Sequence, residues 1–487
     1  MKNSPKTRIE TDSMGKVEVP AEAYYGGQTA RAKRNFQISG VIAPAIFKQS
    51  LGMVKLAAAQ TNTALGLLDD KISKAIIQSC QEFIAGKFDN DFTLDVFQAG
   101  AGTSYNMNAN EIIANRANEL LYGPKRSALH NLRAHGASAQ RARNVALPLS
   151  SEASLSNKFV HPNNHVNMAQ STNDVIPTVT RIAALLSLPE LLKALNECEE
   201  SLKKIAKKYS NLSKVGRTHL EDAVSISLGQ EFDSYKEALH KSGEFIVDQS
   251  VNLQTLGISG TAVGTGINTH PKYRELMVKN LTKLIGLHFS SGKNLTEMAN
   301  NMNSFLNFSA SLRSLATNLL NICSDLKLMN MGPKAGIAEI TLPEVQAGSS
   351  IMPGKVNPSI PECLEMICMQ VLGNDKTIEI ACQKSNFELN VFCPIIMFNL
   401  LQSMEILTNG LKMLNNFALK NLQVNEKQIR KLFEESLCTA TSLSPKLGYA
   451  LTAEIVKSAL KKGTTIRQEV LTRKLMSEKE FEKIIAN

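Results

Sequence analysis

Eight apolar residues between Phe305 and Met329 recur every three or four positions: Phe305, Phe308, Leu312, Leu315, Leu319, Ile322, Leu326 and Met329. A stripe of about seven turns reads as one long amphipathic helix with a continuous face to bury. The same spacing returns at Phe47, Leu51, Val54 and Ala58, and again at Ile182, Leu185, Leu192 and Leu195. Strand-like alternation is scarce, with Lys16–Val19 the one candidate near the N-terminus. Long helices joined by short Gly/Pro/Asn loops predict a mainly α chain built around a helical bundle. At 487 residues the chain is long enough for about three domains and for a large core without disulfides. With 43% hydrophobic and 20% charged residues it is neither disordered nor low-complexity.

Charge is uneven. Of the net +10, the segment Gly123–Val160 carries +5 (Lys125, Arg126, Arg133, Arg141, Arg143 and Lys158 against Glu152), and Asn421 to the end carries +4. Aromatics make up 5% of the chain, there is no Trp, and the first patch holds only Phe159, so base stacking has few platforms. Nucleic acid is therefore not the expected partner, and a solvated face that attracts small anions is the better reading. The eight cysteines form no Cys-x-x-Cys and no cluster with zinc-ligand spacing, so buried reduced thiols are expected and neither metal nor cofactor is implied. The N-terminus has no apolar signal region, and the longest apolar stretch, Val391–Leu407, is too short and polar to span a bilayer. A soluble, cytoplasmic protein with no membrane partner is expected.

Four polar clusters interrupt the helices: Gln98–Glu111 (QAGAGTSYNMNANE), His161–Asp174 (HPNNHVNMAQSTND), Gly216–Gln230 (GRTHLEDAVSISLGQ) and Gly348–Pro358 (GSSIMPGKVNP). The last is a glycine-rich loop whose backbone N–H groups, with Ser349, Ser350, Lys355 and Asn357, suit a carboxylate. It is not a phosphate-binding P-loop: five residues rather than four separate Gly348 from Gly354, and Val356 follows the lysine. Ser171, Thr172 and Asn173 stand before a helix, where Asn173 or Asp174 can serve as N-cap. Thr103, Asn106, Asn108 and Asn110 are neutral donors and acceptors that can equally satisfy a turn into a helix. Thr218 and His219 lie in a polar turn. Gly257–Gly266 lacks the spacing of a dinucleotide fingerprint and reads as a loop that lets helices approach closely.

Taken together and in this order, the clusters resemble the fumarase/aspartase superfamily, from TRIETDSMGKVEVPAEAYYG to SLSPKLGYALTAEIVKSALKKG. The resemblance implies a three-domain subunit (1–168, 169–420 and 421–487) and a homotetramer with a twenty-helix core, its active sites shared by three subunits. It further implies that Ser349 is the catalytic base and that Lys355, Asn357 and Ser350 hold a small dicarboxylate. Thr103, Ser171, Thr172, Asn173 and Thr218 would line the pocket, and His219 would meet substrate, oriented by Glu362. Within the superfamily, QAGAGTSYNMNANE, Thr172, Ala223-Val224, Ala335 and Asn164 resemble aspartate ammonia-lyase. The N-terminal stretch, His161-Pro162 and Asn268–Pro271 are more similar to class II fumarase. Deamination of L-aspartate is the expected activity and hydration of fumarate the alternative; a helical scaffold would not need Ser349, Lys355, Asn357 and His219 together. Two features depart from the family: the inserted basic loop at 123–160, and Pro189, which predicts a kink or break near Leu188.

Overall fold

A computed structural model describes residues 6–12, 14–123, 159–348 and 351–485 of the protein. Ser349, Ser350 and nearly all of the basic 123–160 segment lie outside the described residues. The chain is mainly helical, as the stripes require. Five helices are long: Thr172–Lys208, Leu228–Ser250, Asn303–Asn330, Ser359–Cys382 and Cys393–Phe417. All eight stripe residues of Asn303–Asn330 are at most 4% exposed, so the periodicity is a buried face.

Tight contacts group the chain into two units: Met1–Pro189, Ile246–Leu312 and Leu372–Glu405 in one, Glu190–Phe245, Arg313–Val371 and Ile406–Asn487 in the other. In the first, helices Ala45–Ala64, Asp70–Ile84 and Thr103–Tyr122 pack together. Phe47, Phe83, Phe92 and Tyr105 form a chain of ring contacts at centroid distances of 5.3–5.6 Å. Asp69 starts Asp70–Ile84 by accepting from the amides of Lys71 and Ile72, an ordinary N-cap. The strand read at Lys16–Val19 is Gly15–Pro20, paired antiparallel with Thr7–Asp12. This hairpin leads to the helix Gly27–Asn35, whose first amides (Gly26, Gln28, Thr29) all donate to the buried Glu111 carboxylate. An anion at a helix N-terminus is stabilised there by the helix dipole and the orphan N–H groups.

In the second unit, strands Ser213–Thr218 and Glu221–Ser227 form an antiparallel hairpin. The helices from Thr439 to Ile485 enclose a core of Leu443, Ile455, Ala459, Ile466, Val470 and Phe481.

Of the kink or break read near Leu188, the break is absent, and the most apolar long segment lies elsewhere than read. Thr172–Lys208 runs through Pro189 without a break. An internal proline costs ~3 kcal/mol, but Leu185, Leu188, Leu191, Ala194 and Leu195 are all buried around it, and a single buried leucine already contributes ~2 kcal/mol. The same helix, rather than Val391–Leu407, is the described segment long and apolar enough to cross a membrane. About two-thirds of its apolar window is buried in the protein, which marks a core helix. Of the cysteines, six are buried, Cys363 and Cys382 are half-buried, and all eight are free thiols.

Candidate active site

Thr103 is the first residue of its helix, set by a left-handed turn through Ala101 (φ 58°) and Gly102 (φ 81°). A side chain on Gly102 would press on Ile176 at 3.1 Å, so glycine both permits the turn and lets the helices close. Thr103 is exposed, and its hydroxyl donates to the Gly100 carbonyl at 3.3 Å. One turn on, Asn106 is buried and donates to Thr172 Oγ1 (3.1 Å) and Asn167 Oδ1 (3.2 Å). Asn108 donates to the Asp91 carbonyl, the structural role open to it from sequence, and Asn110 faces Met107.

Ser171, rather than Asn173 or Asp174, caps the Thr172–Lys208 helix. Its hydroxyl accepts from the Asn173 amide, and Asp174, three residues in, accepts from the Ser171 amide at 2.9 Å. The hydroxyl thus caps the second helical amide while the Asp174 carboxylate reaches back to the cap amide, as a glutamate does in a capping box. This releases the Asn173 side chain, whose Nδ2 donates to the Ala262 carbonyl at 2.7 Å. The other Asp174 oxygen accepts from the Ser259 and Thr261 amides at 3.0 and 2.9 Å, tying the glycine-rich loop to the cap. That loop permits the close approach expected of it: a Cβ on Gly264 would lie 2.2 Å from the Thr296 nitrogen.

Lys55 joins these pieces and was not singled out by the sequence reading. Fully buried, it donates to Asn106 Oδ1 (2.7 Å), Asn167 Oδ1 (3.0 Å) and Gln170 Oε1 (3.0 Å). Burial pulls its ammonium down to about 7, opposed by Asp174. Burial pushes the Asp174 carboxyl up to about 6, against its backbone donors and Lys55. The signal for Lys55 was present: a lysine breaking the apolar run Met53-Val54-Lys55-Leu56-Ala57.

The other residues belong to the second unit. Thr218 and His219 sit at the tip of the Ser213–Ser227 hairpin, where Thr218 pairs with Glu221 and leaves a two-residue turn. Both turn residues have positive φ, 58° at His219 and 64° at Leu220, the type I′ geometry usually filled by Asn-Gly. His219 is thus held, exposed, on a strained backbone. The hairpin is anchored below. Buried Glu339 pairs with Arg217 at 2.9 Å and with Lys214 at 2.8 Å, and Lys214 also reaches Glu231 at 2.6 Å. Burial raises the Glu231 carboxyl, opposed first by Lys214.

In the anion loop, Asn357 Nδ2 donates to the Gly348 carbonyl at 3.1 Å. A Cβ on Gly348 would fall 2.1 Å from the Lys355 carbonyl, so this fold of the loop requires glycine there. Lys355 is exposed, and Glu362 is exposed in the first turn of Ser359–Cys382. Among the described residues no hydrogen bond or ion pair joins His219 to Glu362, Lys355 or Asn357. Ser171, Thr172 and Asn173 are brought together with Asn106 one helical turn from Thr103, Thr218 adjoins His219 at the hairpin tip, and Lys355 and Asn357 share the anion loop. Among the described residues no group of His, Cys, Asp and Glu is arranged to hold a metal ion. The chemistry on offer is neutral hydrogen bonding beside fixed positive charge, suited to a small anion.

Comparisons with known proteins give the family. Residues 15–373 match the lyase family and residues 440–486 match the fumarase C C-terminus. A fumarate hydratase class II of Bacillus subtilis (strain 168) is 38% identical over 479 residues, covering 98% of this chain and 97% of the relative. An aspartate ammonia-lyase of Bacillus sp is 39% identical over 479 residues, covering 98% of this chain and 96% of the relative. The crystal structure of a recombinant class II fumarase from Schistosoma mansoni superposes with a TM-score of 0.89 at 34% identity, over 99% of this chain and 98% of that one. With the likeness running the length of both chains, in sequence and in fold, the protein belongs to the fumarase/aspartase superfamily of lyases.

Proposed function

We propose that the protein is an aspartate ammonia-lyase, converting L-aspartate reversibly to fumarate and ammonia in a soluble, cytoplasmic homotetramer whose sites draw on three subunits. The three segments 1–168, 169–420 and 421–487 would be the domains of each subunit. Overall identity does not separate the two activities, since relatives of both names stand at 38 and 39%. One observation carries the choice. One hydrogen of Asn173 Nδ2 is committed to the Ala262 carbonyl, and the single hydroxyl proton of Thr103 to the Gly100 carbonyl. Thr103 therefore offers a ligand only an acceptor, and Asn173 offers its Oδ1 beside one remaining N–H. An ammonium is donor-only and matches the two oxygens, whereas a hydroxyl has one proton to give.

In this reading Ser349 removes a proton from C3. The electron pair first enters the adjacent carboxylate as an enediolate-like dianion, then forms the C2–C3 double bond as the C2–N bond breaks and ammonia leaves. Lys355, Asn357, Ser350 and backbone amides of the loop hold the charged carboxylate; one such donor is worth ~10²–10³ in rate. A serine acts as base only where its oxyanion is stabilised, which the Lys355 charge and loop amides supply. His219, with Glu362, would meet the substrate from the strained hairpin tip. Both substrates carry the same two carboxylates, so selection falls to acceptors near C2, and a site built for one polar group can reject its analogue by ~10⁴. Absorbance of fumarate is followed with L-aspartate and then with L-malate. Much faster release from aspartate is the expected result; equal or faster release from malate makes the protein a class II fumarase.

A further inference from the structure

The outer side of the glycine-rich loop lines an open concavity of about 540 Å³, bordered by Gly264, Thr265, Gly266, Thr269, His270, Arg274, Lys293 and Asn294, with no acidic residue in its wall. Its hydrogen-bonding groups are lopsided. Asn294 Oδ1 already accepts from the Thr296 and Glu297 amides, leaving its NH₂ end uncommitted. His270 Nδ1 accepts from the Lys272 amide, leaving Nε2. Arg274 is fixed by Nε to Ser291 and by one terminal nitrogen to the Gly292 carbonyl, leaving Nη1. Lys293 has no hydrogen-bonding or ionic partner among the described residues. The Gly266 carbonyl receives the Thr269 hydroxyl. The wall thus presents charged and amide donors and no carboxylate, with the Arg274 guanidinium held on one side by two hydrogen bonds.

We propose that this concavity is a binding site for a small oxyanion carrying at least two oxygens, such as a phosphate or a carboxylate, held by Lys293 Nζ, Arg274 Nη1, His270 Nε2 and Asn294 Nδ2. A planar guanidinium beside an ammonium suits two oxygens of one group. The site is separate from the aspartate-binding residues named above, and it stands whether the enzyme deaminates aspartate or hydrates fumarate. Its back wall is the same loop whose Ser259 and Thr261 amides hold Asp174 and whose Ala262 carbonyl holds Asn173.

Inorganic phosphate and, separately, succinate are titrated by calorimetry into the full-length protein and its Lys293→Ala, His270→Asn and Lys71→Ala variants. Lys71 lies in the Asp70–Ile84 helix and serves as a control for loss of any surface charge. The site predicts saturable binding of at least one probe, weakened about tenfold or more by Lys293→Ala and by His270→Asn and unchanged by Lys71→Ala. Which probe binds more tightly separates a phosphate from a carboxylate site. Binding that is the same in all four proteins, or absent for both probes, overturns the proposal. Circular dichroism of each variant confirms the fold, and Lys293→Glu, at an exposed position, provides a charge reversal that must also abolish binding.

Discussion

At the scale of single residues, the buried pair of Lys55 and Asp174 sets the local architecture. Each is a charge taken out of water and tolerated because several partners meet it: three amide oxygens for Lys55, three backbone amides for Asp174. Asp174 carries a pH signature. Its carboxyl titrates at 3.8 unperturbed and at about 6 in the folded protein. The unfolded chain then releases the proton first, so this group's contribution to stability is full below 3.8 and declines as pH rises to about 6, by ~3 kcal/mol. Lys55, lowered to about 7 from 10.5, changes charge above that window. Asp174→Asn is expected to destabilise the protein while removing this decline, so that the stability gap to wild type narrows as pH rises across the window. Urea unfolding at several pH values reads the gap, and a gap constant with pH contradicts the assignment.

Elements were unequally legible. The helix of Phe305 to Met329 announced itself because one face is buried along its whole length, and a period of 3.6 survives any detail of neighbours. The Ser213–Ser227 hairpin did not, because its register shifts between Val215 and Arg217 and its burial does not alternate. Its anchors are also remote in sequence: Arg217 pairs with Glu339, whose only local sign is an ordinary acidic residue in a loop. Lys55 was hidden for the same reason, with partners that only the fold brings near. Pro189 does not end its helix, because a propensity is a weak local term against a buried stripe. Glu339→Ala leaves Lys214 and Arg217 without their shared carboxylate in a buried site, and a loss of ~3–5 kcal/mol is expected. Unfolding midpoints test this, with Glu339→Gln retaining part of the loss as hydrogen bonds. At the tip, Leu220→Asn relieves a positive φ that asparagine tolerates; amides of the hairpin should exchange about fivefold more slowly, since ~1 kcal/mol is at stake.

For the whole molecule, the candidates fall in both units of the chain: Thr103 and Asn173 belong to one, His219, Lys355 and Asn357 to the other. The polar clusters were readable from sequence because they interrupt helices with residues no turn needs. What sequence could not supply is how they meet, since no single cluster carries all the groups the proposed chemistry needs. Shared sites predict complementation. Asn173→Ala and Lys355→Ala are each expected to be nearly inactive, and unfolding and refolding them as a mixture should restore activity to about a quarter of wild type. Each restored site needs an intact residue from two randomly drawn subunits. No recovery, from tetramers shown by light scattering to be mixed, contradicts shared sites.

In the proposed function, the Thr103 oxygen, with its proton committed to Gly100, and Asn173 Oδ1 together choose an ammonium over a hydroxyl. The direct measurement is the ratio of kcat/KM for L-aspartate to that for L-malate, taken in wild type and in Asn173→Ala. The account predicts a ratio far above one in wild type, falling by ~10² in the variant because the aspartate term drops while the malate term hardly moves. A wild-type ratio at or below one, or a variant in which both terms fall together, contradicts it.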